Sequence, residues 1–200
     1  MSKRRKRKRS SNTGLARRVK KLEKKQEVKV HDIGVGQIMN IPVAGVITAL
    51  GSIAQGDTIA QRDGNKIAPF FFNLRFQWNG DTLAVGEVYR TIVLIDTQQT
   101  PSVAPTVLEI LQTASPLSQY NHLRRHRFKV LYDQMFSQAS DAAISMSQVM
   151  VVNRKLRKIM SFSGAGSTTW NQNGLFMVNI ANQATNLPNF NFSFRLWFND

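Results

Sequence analysis

Seven consecutive cations, Lys3, Arg4, Arg5, Lys6, Arg7, Lys8 and Arg9, are the densest concentration of one chemistry in the chain. Adjacent like charges repel, and the segment has nothing apolar to bury, so it is expected to be disordered without a partner. What such a run does well is neutralise a polyanion, with released counterions supplying the free energy. The same residues also read as a nuclear-import signal. No apolar stretch follows them, so a secretory signal is not expected.

Residues 12–27 carry more charge in a different setting. Asn12 or Thr13 can cap a helix, and the stretch that follows is rich in helix formers. Leu15, Val19 and Leu22 fall at i, i+4 and i+7, a narrow apolar seam, flanked by Arg17, Arg18, Lys20, Lys21, Lys24 and Lys25. The expectation is a disordered segment over 1–11 and a helix over 12–27. So short a helix is marginal alone. It is expected to form when phosphates screen its cations and its seam meets copies of itself. A membrane-surface helix is the competing reading; three apolar residues without an aromatic rank it below nucleic acid. Residues 1–29 hold 14 Lys/Arg and 2 Glu, net +12, and residues 30–200 hold 13 Lys/Arg and 10 Asp/Glu, net +3, which together give the +15 of the whole chain. A polycationic arm thus precedes a nearly neutral body of about 170 residues, enough for one substantial core.

Catalytic chemistry is sparse. With no cysteine, disulfides, zinc-ribbon sites and thiol catalysis are excluded. The histidines are His31, His122 and His126. The last two are four apart, but Arg124, Arg125 and Arg127 would repel a metal, and a solvated basic loop is the favoured reading. Ser163-Gly164-Ala165-Gly166-Ser167 lacks the Lys and the strand–helix setting of a phosphate-binding loop and reads as a hairpin connection. Gly34-Val35-Gly36 is weaker still. No tight carboxylate pair suits acid/base work on a glycoside. The chain is therefore not expected to be an enzyme. Two further basic clusters, Arg124-Arg125-His126-Arg127 with Lys129 and Arg154-Lys155 with Arg157-Lys158, either extend a nucleic-acid surface or form solvated faces and salt bridges.

The scaffold reads as strands. Phe70, Phe72, Leu74, Phe76 and Trp78 alternate with Phe71, Asn73, Arg75, Gln77 and Asn79, and Phe190, Phe192, Phe194, Leu196 and Phe198 with Asn191, Ser193, Arg195, Trp197 and Asn199. These are two long half-buried strands. Residues 86–95, 127–136 and 174–180 are further strands, with weaker signals at 43–50 and 146–152. Residues 105–112 break the pattern: Pro105 suits a first helical position, and a short helix or turn is expected there. No apolar run is long enough to span a bilayer. About eight strands with long connections point to an all-β two-sheet sandwich or jelly roll, a single body over residues 30–200.

Three stretches carry a resemblance: Gln55-Gly56-Asp57-Thr58-Ile59-Ala60-Gln61-Arg62-Asp63-Gly64; Pro105-Thr106-Val107-Leu108-Glu109-Ile110-Leu111-Gln112-Thr113-Ala114 running on to Ser118-Gln119-Tyr120-Asn121; and Arg127-Phe128-Lys129-Val130-Leu131-Tyr132-Asp133. Their order and spacing are similar to those of the satellite tobacco necrosis virus coat protein family and related capsid proteins of small circular single-stranded DNA viruses. The likeness covers the arm and most of residues 50–140 and thins toward the C-terminus. It implies an eight-stranded jelly roll and a T=1 icosahedral shell of about sixty identical subunits around a single-stranded RNA or DNA genome. It also implies an inward arm whose helix gathers in threes through Leu15, Val19 and Leu22. The implied location is the virion, with host cytoplasm or nucleus during assembly. The partners are other copies and the genome, with no membrane. Calcium at subunit contacts is implied too, with Asp57 and Asp200 as ligands, although Asp63 and Lys66 depart from the family pattern nearby. The rivals are a cellular basic-tailed nucleic-acid-binding protein that forms no shell, and a jelly-roll enzyme or sugar-binding domain.

Overall fold

The computed structural model describes residues 27–80, 86–138 and 147–200. The arm cations Lys3 to Lys25, the expected helix over 12–27 and its seam at Leu15, Val19 and Leu22 lie outside the described residues.

Ten strands are found among the described residues: β1 (Lys29–Asn40), β2 (Val46–Ala49), β3 (Lys66–Asn79), β4 (Glu87–Asp96), β5 (Phe128–Gln138), β6 (Ser147–Lys155), β7 (Met160–Phe162), β8 (Trp170–Gln172), β9 (Gly174–Ala181) and β10 (Asn189–Asn199). A one-turn helix, α1 (Val107–Ile110), and a 3-10 turn, His122–Arg124, lie between β4 and β5. The first sheet runs β1-β10-β3, and β3 then pairs with β6 along Phe71–Asn79 and with the β7–β8 hairpin at Lys66 and Ile67. The second runs β2-β9-β4-β5. The pairs nest: β4 with β5, β3 with β6, β2 with β9 and β1 with β10, all antiparallel.

The period-two reading of β3 and β10 becomes a buried face. Phe72, Leu74, Phe76 and Trp78 from β3, with Phe190, Phe192, Phe194, Leu196 and Phe198 from β10, all lie in the core. They meet the second sheet through aromatic contacts. Trp78 stacks on Tyr89 of β4 at 4.7 Å, and Phe76 meets Phe136 of β5 edge-on at 5.8 Å, a geometry that favours ring quadrupoles. The buried indole N–H of Trp78 donates to Thr91 Oγ1 at 3.0 Å, and that hydroxyl donates on to Asn179 Oδ1 at 3.0 Å. This buried polar chain links β3, β4 and β9 in one register, with the Asn179 amide N–H₂ left without a partner among the described residues.

The two central strands of the second sheet are covered on both sides. Every residue of β9 is buried, and so is all of β4 except Val88, so neither shows the alternation of a half-buried strand. The β4–β5 connection supplies the outer cover, burying Val107, Ile110 and Leu111. Its helix starts two residues later than Pro105 suggests. Thr106 is the N-cap, its hydroxyl accepting from the Glu109 N–H while the Glu109 carboxylate accepts from the Thr106 N–H at 2.8 Å. This reciprocal capping box satisfies two helix-end donors at once.

Strand β1 is absent from the sequence reading because a bulge breaks its period. Its register against β10 shifts between Ile33 and Gln37. Gly34 sits there at φ +64, with Phe192 close enough that a Cβ would come within 3.2 Å of the ring; only glycine suits both constraints. The three-residue strands β7 and β8 are too short to show a period.

Arg62 is fully buried and ties the β2–β3 connection to the β7–β8 turn. Its Nε donates to the Ile53 carbonyl at 3.0 Å, Nη1 to Gly64 at 2.5 Å and Nη2 to Gly164, while its guanidinium lies 4.1 Å from the Phe162 ring centroid. Replacing it leaves buried carbonyls unpaired. Arg62→Met is expected to lose about 3 kcal/mol of unfolding free energy, measured by guanidinium melting followed by tryptophan fluorescence, whereas Lys66→Met on the exposed start of β3 should change stability by less than about 0.5 kcal/mol.

Candidate functional site

The body's basic clusters separate into two kinds of residue. Arg124, Arg125 and His126 are exposed on the 3-10 turn and the turn after it, and Lys129 is exposed on β5. Arg127, grouped with them in the sequence reading, is not part of that surface. It is buried, and its guanidinium grips Asp96 through Nε and Nη2, at 2.9 and 2.7 Å, and Glu109 through Nη1 at 2.5 Å. The alternative of a salt bridge is thus the one realised at Arg127. In the second cluster Arg154, Lys155, Arg157 and Lys158 are all exposed. Arg154 reaches from β6 to the Leu131 carbonyl of β5 at 3.2 Å, joining the edges of the two sheets.

The two histidines expected to share a basic loop do so. His126 Nε2 accepts from Arg125 Nε at 3.2 Å, which occupies the lone pair a metal would need. The Ser163–Ser167 stretch is the turn of the β7–β8 hairpin, and its Gly164 and Gly166 carbonyls serve Arg62.

The carboxylates singled out for calcium are differently placed. Asp57 is exposed in the turn that precedes Arg62, and its side chain makes no hydrogen bond or ion pair among the described residues. Asp200 is not free for a cation. Lys29, the first residue of β1 and buried, places its ammonium 2.9 Å from Asp200 Oδ2 and in contact with Asp63. Asp200 also accepts the Asp63 backbone N–H at 3.0 Å. Burial alone would lower the Lys29 pKa, but the hydrogen bonds and charges of Asp63 and Asp200 outweigh it and leave it raised. The ammonium therefore stays charged where a dication would have to sit. The donor set here suits a built-in monovalent cation and does not suit calcium. Lys66, which the sequence singled out as a departure from the family pattern, is exposed at the start of β3. Among the described residues no three His, Cys, Asp or Glu side chains converge as a metal cage.

Two charged networks escaped the sequence reading. One is Arg127 with Asp96 and Glu109. The other joins Arg90 of β4 to Asp133 of β5 by a two-pronged pair at 2.8 and 2.7 Å. Arg90 also donates to the Pro116 and Ser118 carbonyls at 3.1 and 2.6 Å, and the Tyr120 hydroxyl donates to Asp133 Oδ2. Burial raises the Tyr120 pKa, helped by Asp133. Burial pushes Asp133 up, but hydrogen bonds from Arg90 and Tyr120 override it and hold the carboxyl below its ordinary value. Glu109 behaves alike: burial opposes, and the Thr106 N–H and Arg127 prevail. Both networks fasten the β4–β5 connection onto the second sheet. They hold no reacting geometry.

A sequence model of satellite tobacco necrosis virus coat proteins matches residues 1–200. The chain belongs to the satellite tobacco necrosis virus coat protein family. The capsid protein of Satellite tobacco necrosis virus 1 is 37% identical over 93 residues, which are 45% of this chain and 46% of that relative; the chain thus spans about half the length of the curated relative it matches. The coat-protein-like stretches quoted above now have physical content. The first contains Arg62, the second supplies Thr106, Glu109, Tyr120 and the turn-capping Asn121, and the third supplies Arg127 and Asp133. That spacing was the signal that marked them.

The acid response of this coat-protein family member follows from those carboxylates. With folded pKa values below their unfolded ones, Asp133 and Glu109 contribute stability that is fully present above about pH 4.3 and is lost as pH falls through the depressed folded values. Urea melts at pH 7 and pH 2.5 should show this. Asp133→Asn should be about 2 kcal/mol less stable than the parent at pH 7, and that deficit should shrink at pH 2.5. An equal deficit at both values would refute the linkage.

Proposed function

We propose that the protein is a viral coat protein that assembles with copies of itself into a closed icosahedral shell and packages a single-stranded genome through its basic arm. The observation that carries the reading is the family match across residues 1–200, arm included. The nested pairing of β4 with β5, β3 with β6, β2 with β9 and β1 with β10 supports reading the body as an eight-stranded jelly roll, with β7 and β8 as a hairpin inserted before β9. The role is structural, not catalytic.

The mechanism is electrostatic. The arm condenses nucleic acid without reading its sequence, and neutralised arms then permit closure of the shell. About sixty copies with +12 over residues 1–29 bring roughly 700 positive charges, comparable with the phosphates of a genome of about a kilobase. The seam at Leu15, Val19 and Leu22 suits association of arm helices in threes. Exposed Leu117 and Leu123, 70% and 79% accessible and both in the β4–β5 connection, suit contacts between copies, since assembling subunits bury apolar surface against one another.

Electron microscopy of the purified protein, with absorbance at 260 and 280 nm on the same sample, tests the reading. Uniform closed particles with excess 260 nm absorbance are expected. A monodisperse monomer that merely binds nucleic acid would replace the reading with a cellular basic-tailed binding protein. Deleting residues 1–27 should abolish packaging while leaving the β body folded by circular dichroism, and full-length genome inside the truncated shell would sink the arm mechanism.

Calcium at contacts between copies belongs to the same proposal, carried by the exposed Asp57 repeated around a symmetry axis. Chelation with EGTA should lower the melting temperature of assembled particles, and Asp57→Asn should remove that response. An EGTA effect that survives Asp57→Asn but disappears in Asp200→Asn would transfer the site to the Lys29 cluster.

A further inference from the structure

The two sheets differ in what covers them. The second lies under the β4–β5 connection, but the outer face of the first carries half-buried and exposed side chains over most of β3 and β10. Strand pairing sets these out in rows. Val30, Trp197, Phe71 and Lys155 form one; Asp32, Arg195, Asn73 and Asn153 form the next; Ser193, Arg75 and Val151 form a third. The residues of these rows other than Val30, Lys155 and Val151 line a groove of about 480 Å³. A second depression of about 300 Å³ shares Arg75 and Ser193 with it, so Arg75 stands between two hollows on one face.

The groove's chemistry is specific. Phe71 and Trp197 form an aromatic pair at 5.2 Å, half-buried with rings reaching the surface. Arg195 lies 5.8 Å from the Trp197 ring and is held by a two-pronged bond to Asp32 at 2.7 and 2.8 Å. Asp32 is the one acid among the groove's lining residues, and Arg195 already neutralises it. Arg75 and Lys155 are exposed and form no ion pair among the described residues, so the face carries net positive charge. An aromatic platform beside uncompensated cations, ringed by amides, is what single-stranded nucleic acid requires. Bases stack on the rings, phosphates meet the cations, and amides pair with base edges.

A positional argument adds to the chemical one. The arm joins the body at β1, and Val30 of β1 lies directly across from Trp197. The chain therefore tethers its strongest polyanion-binding segment at the rim of this groove. A second copy of the protein would meet a face with unpaired like charges and one neutralised acid. A polyanion meets complementary charge.

We propose that the outer face of the first sheet is a sequence-tolerant docking groove for single-stranded nucleic acid, with Trp197 and Phe71 stacking a base and Arg75 taking a neighbouring phosphate. It rests on the proposed genome-packaging role and gives the folded body a part in it beyond the arm.

The test uses the full-length protein and eight-nucleotide oligouridine and oligodeoxythymidine carrying a photoreactive 5-iodo base. Cross-links should map to the peptides containing Trp197 or Phe71. Trp197→Ala should weaken oligonucleotide binding about tenfold with an unchanged salt slope, and Trp197→Phe should restore most of the loss. Arg75→Gln should lower the salt slope by about one phosphate. Cross-links confined to residues 1–26, with affinity unchanged in Trp197→Ala, would overturn the groove. So would a Trp197→Ala protein that binds nucleic acid normally but changes its oligomeric state, which would assign the face to contacts between copies. Microscopy separates this from the wider reading: particles without cross-links at Trp197 remove the groove alone, and cross-links at Trp197 without particles remove the shell alone.

Discussion

The pairing of β10 between β1 and β3 is the constraint on which the rest depends. Eleven residues of β10 pair with β3 and nine with β1, joining segments from opposite ends of the sequence. Loop closure on that scale costs entropy before any contact repays it. The compensation is aromatic. Five alternate β10 residues, four of them Phe, enter the core on one face, and Phe190 alone meets Trp78 at 4.8 Å and Phe76 at 5.4 Å. Once β10 is seated, the nested pairing leaves β2 to meet β9 and brings the second sheet over the first.

Closing the sandwich leaves long connections that a hydrophobic core cannot anchor alone, and buried arginines perform that task. Arg62, Arg90 and Arg127 each have a guanidinium largely removed from water and paired with carbonyls or carboxylates. Burying an ion pair contributes little net stability against an apolar alternative, but removing one partner is costly. Such pairs select one arrangement of the loops over its competitors. A guanidinium suits this because its five donors can serve several loops at once; Arg62 reaches carbonyls of both the β2–β3 connection and the β7–β8 turn. Exposed apolar side chains such as Leu117 and Leu123 are thereby held in fixed positions and not in mobile loops.

What could be read in the sequence follows the range of each interaction. Strands β3 and β10 stood out because their period of two is local and strong, β4, β5 and β9 because they are rich in β-branched and aromatic residues, and β2 and β6 were visible more faintly. Strand β1 was hidden because its pairing tolerates a bulge at Gly34 that scrambles alternation. The burial of Arg127 was hidden because its partners are Asp96 and Glu109, 31 and 18 residues away, while its sequence neighbours Arg124 and Arg125 are cations facing solvent. Lys29 shows the same limit more sharply: it closes a run of arm-like charge in sequence, yet its ammonium lies with Asp63 and Asp200, brought there by strand pairing. Composition located the arm's chemistry but had no means of assigning the last cation to the fold.

The Lys29 cluster also bears on how the body relates to the arm. A buried ammonium held by two carboxylates is a strong attachment at the first residue of β1, because without them its charge would be desolvated and unpaired, whereas Asp63 faces solvent. It fixes the point at which the chain enters β1, at the edge of the first sheet, whose outer face stays open among the described residues. A lysine serves here where a metal ion would make the attachment depend on supply. Among the described residues, the buried centre of the second sheet and the open outer face of the first divide the body between a side fastened by its own loops and a side presenting aromatic and cationic groups. That asymmetry arises from strand order and from where one connection folds back.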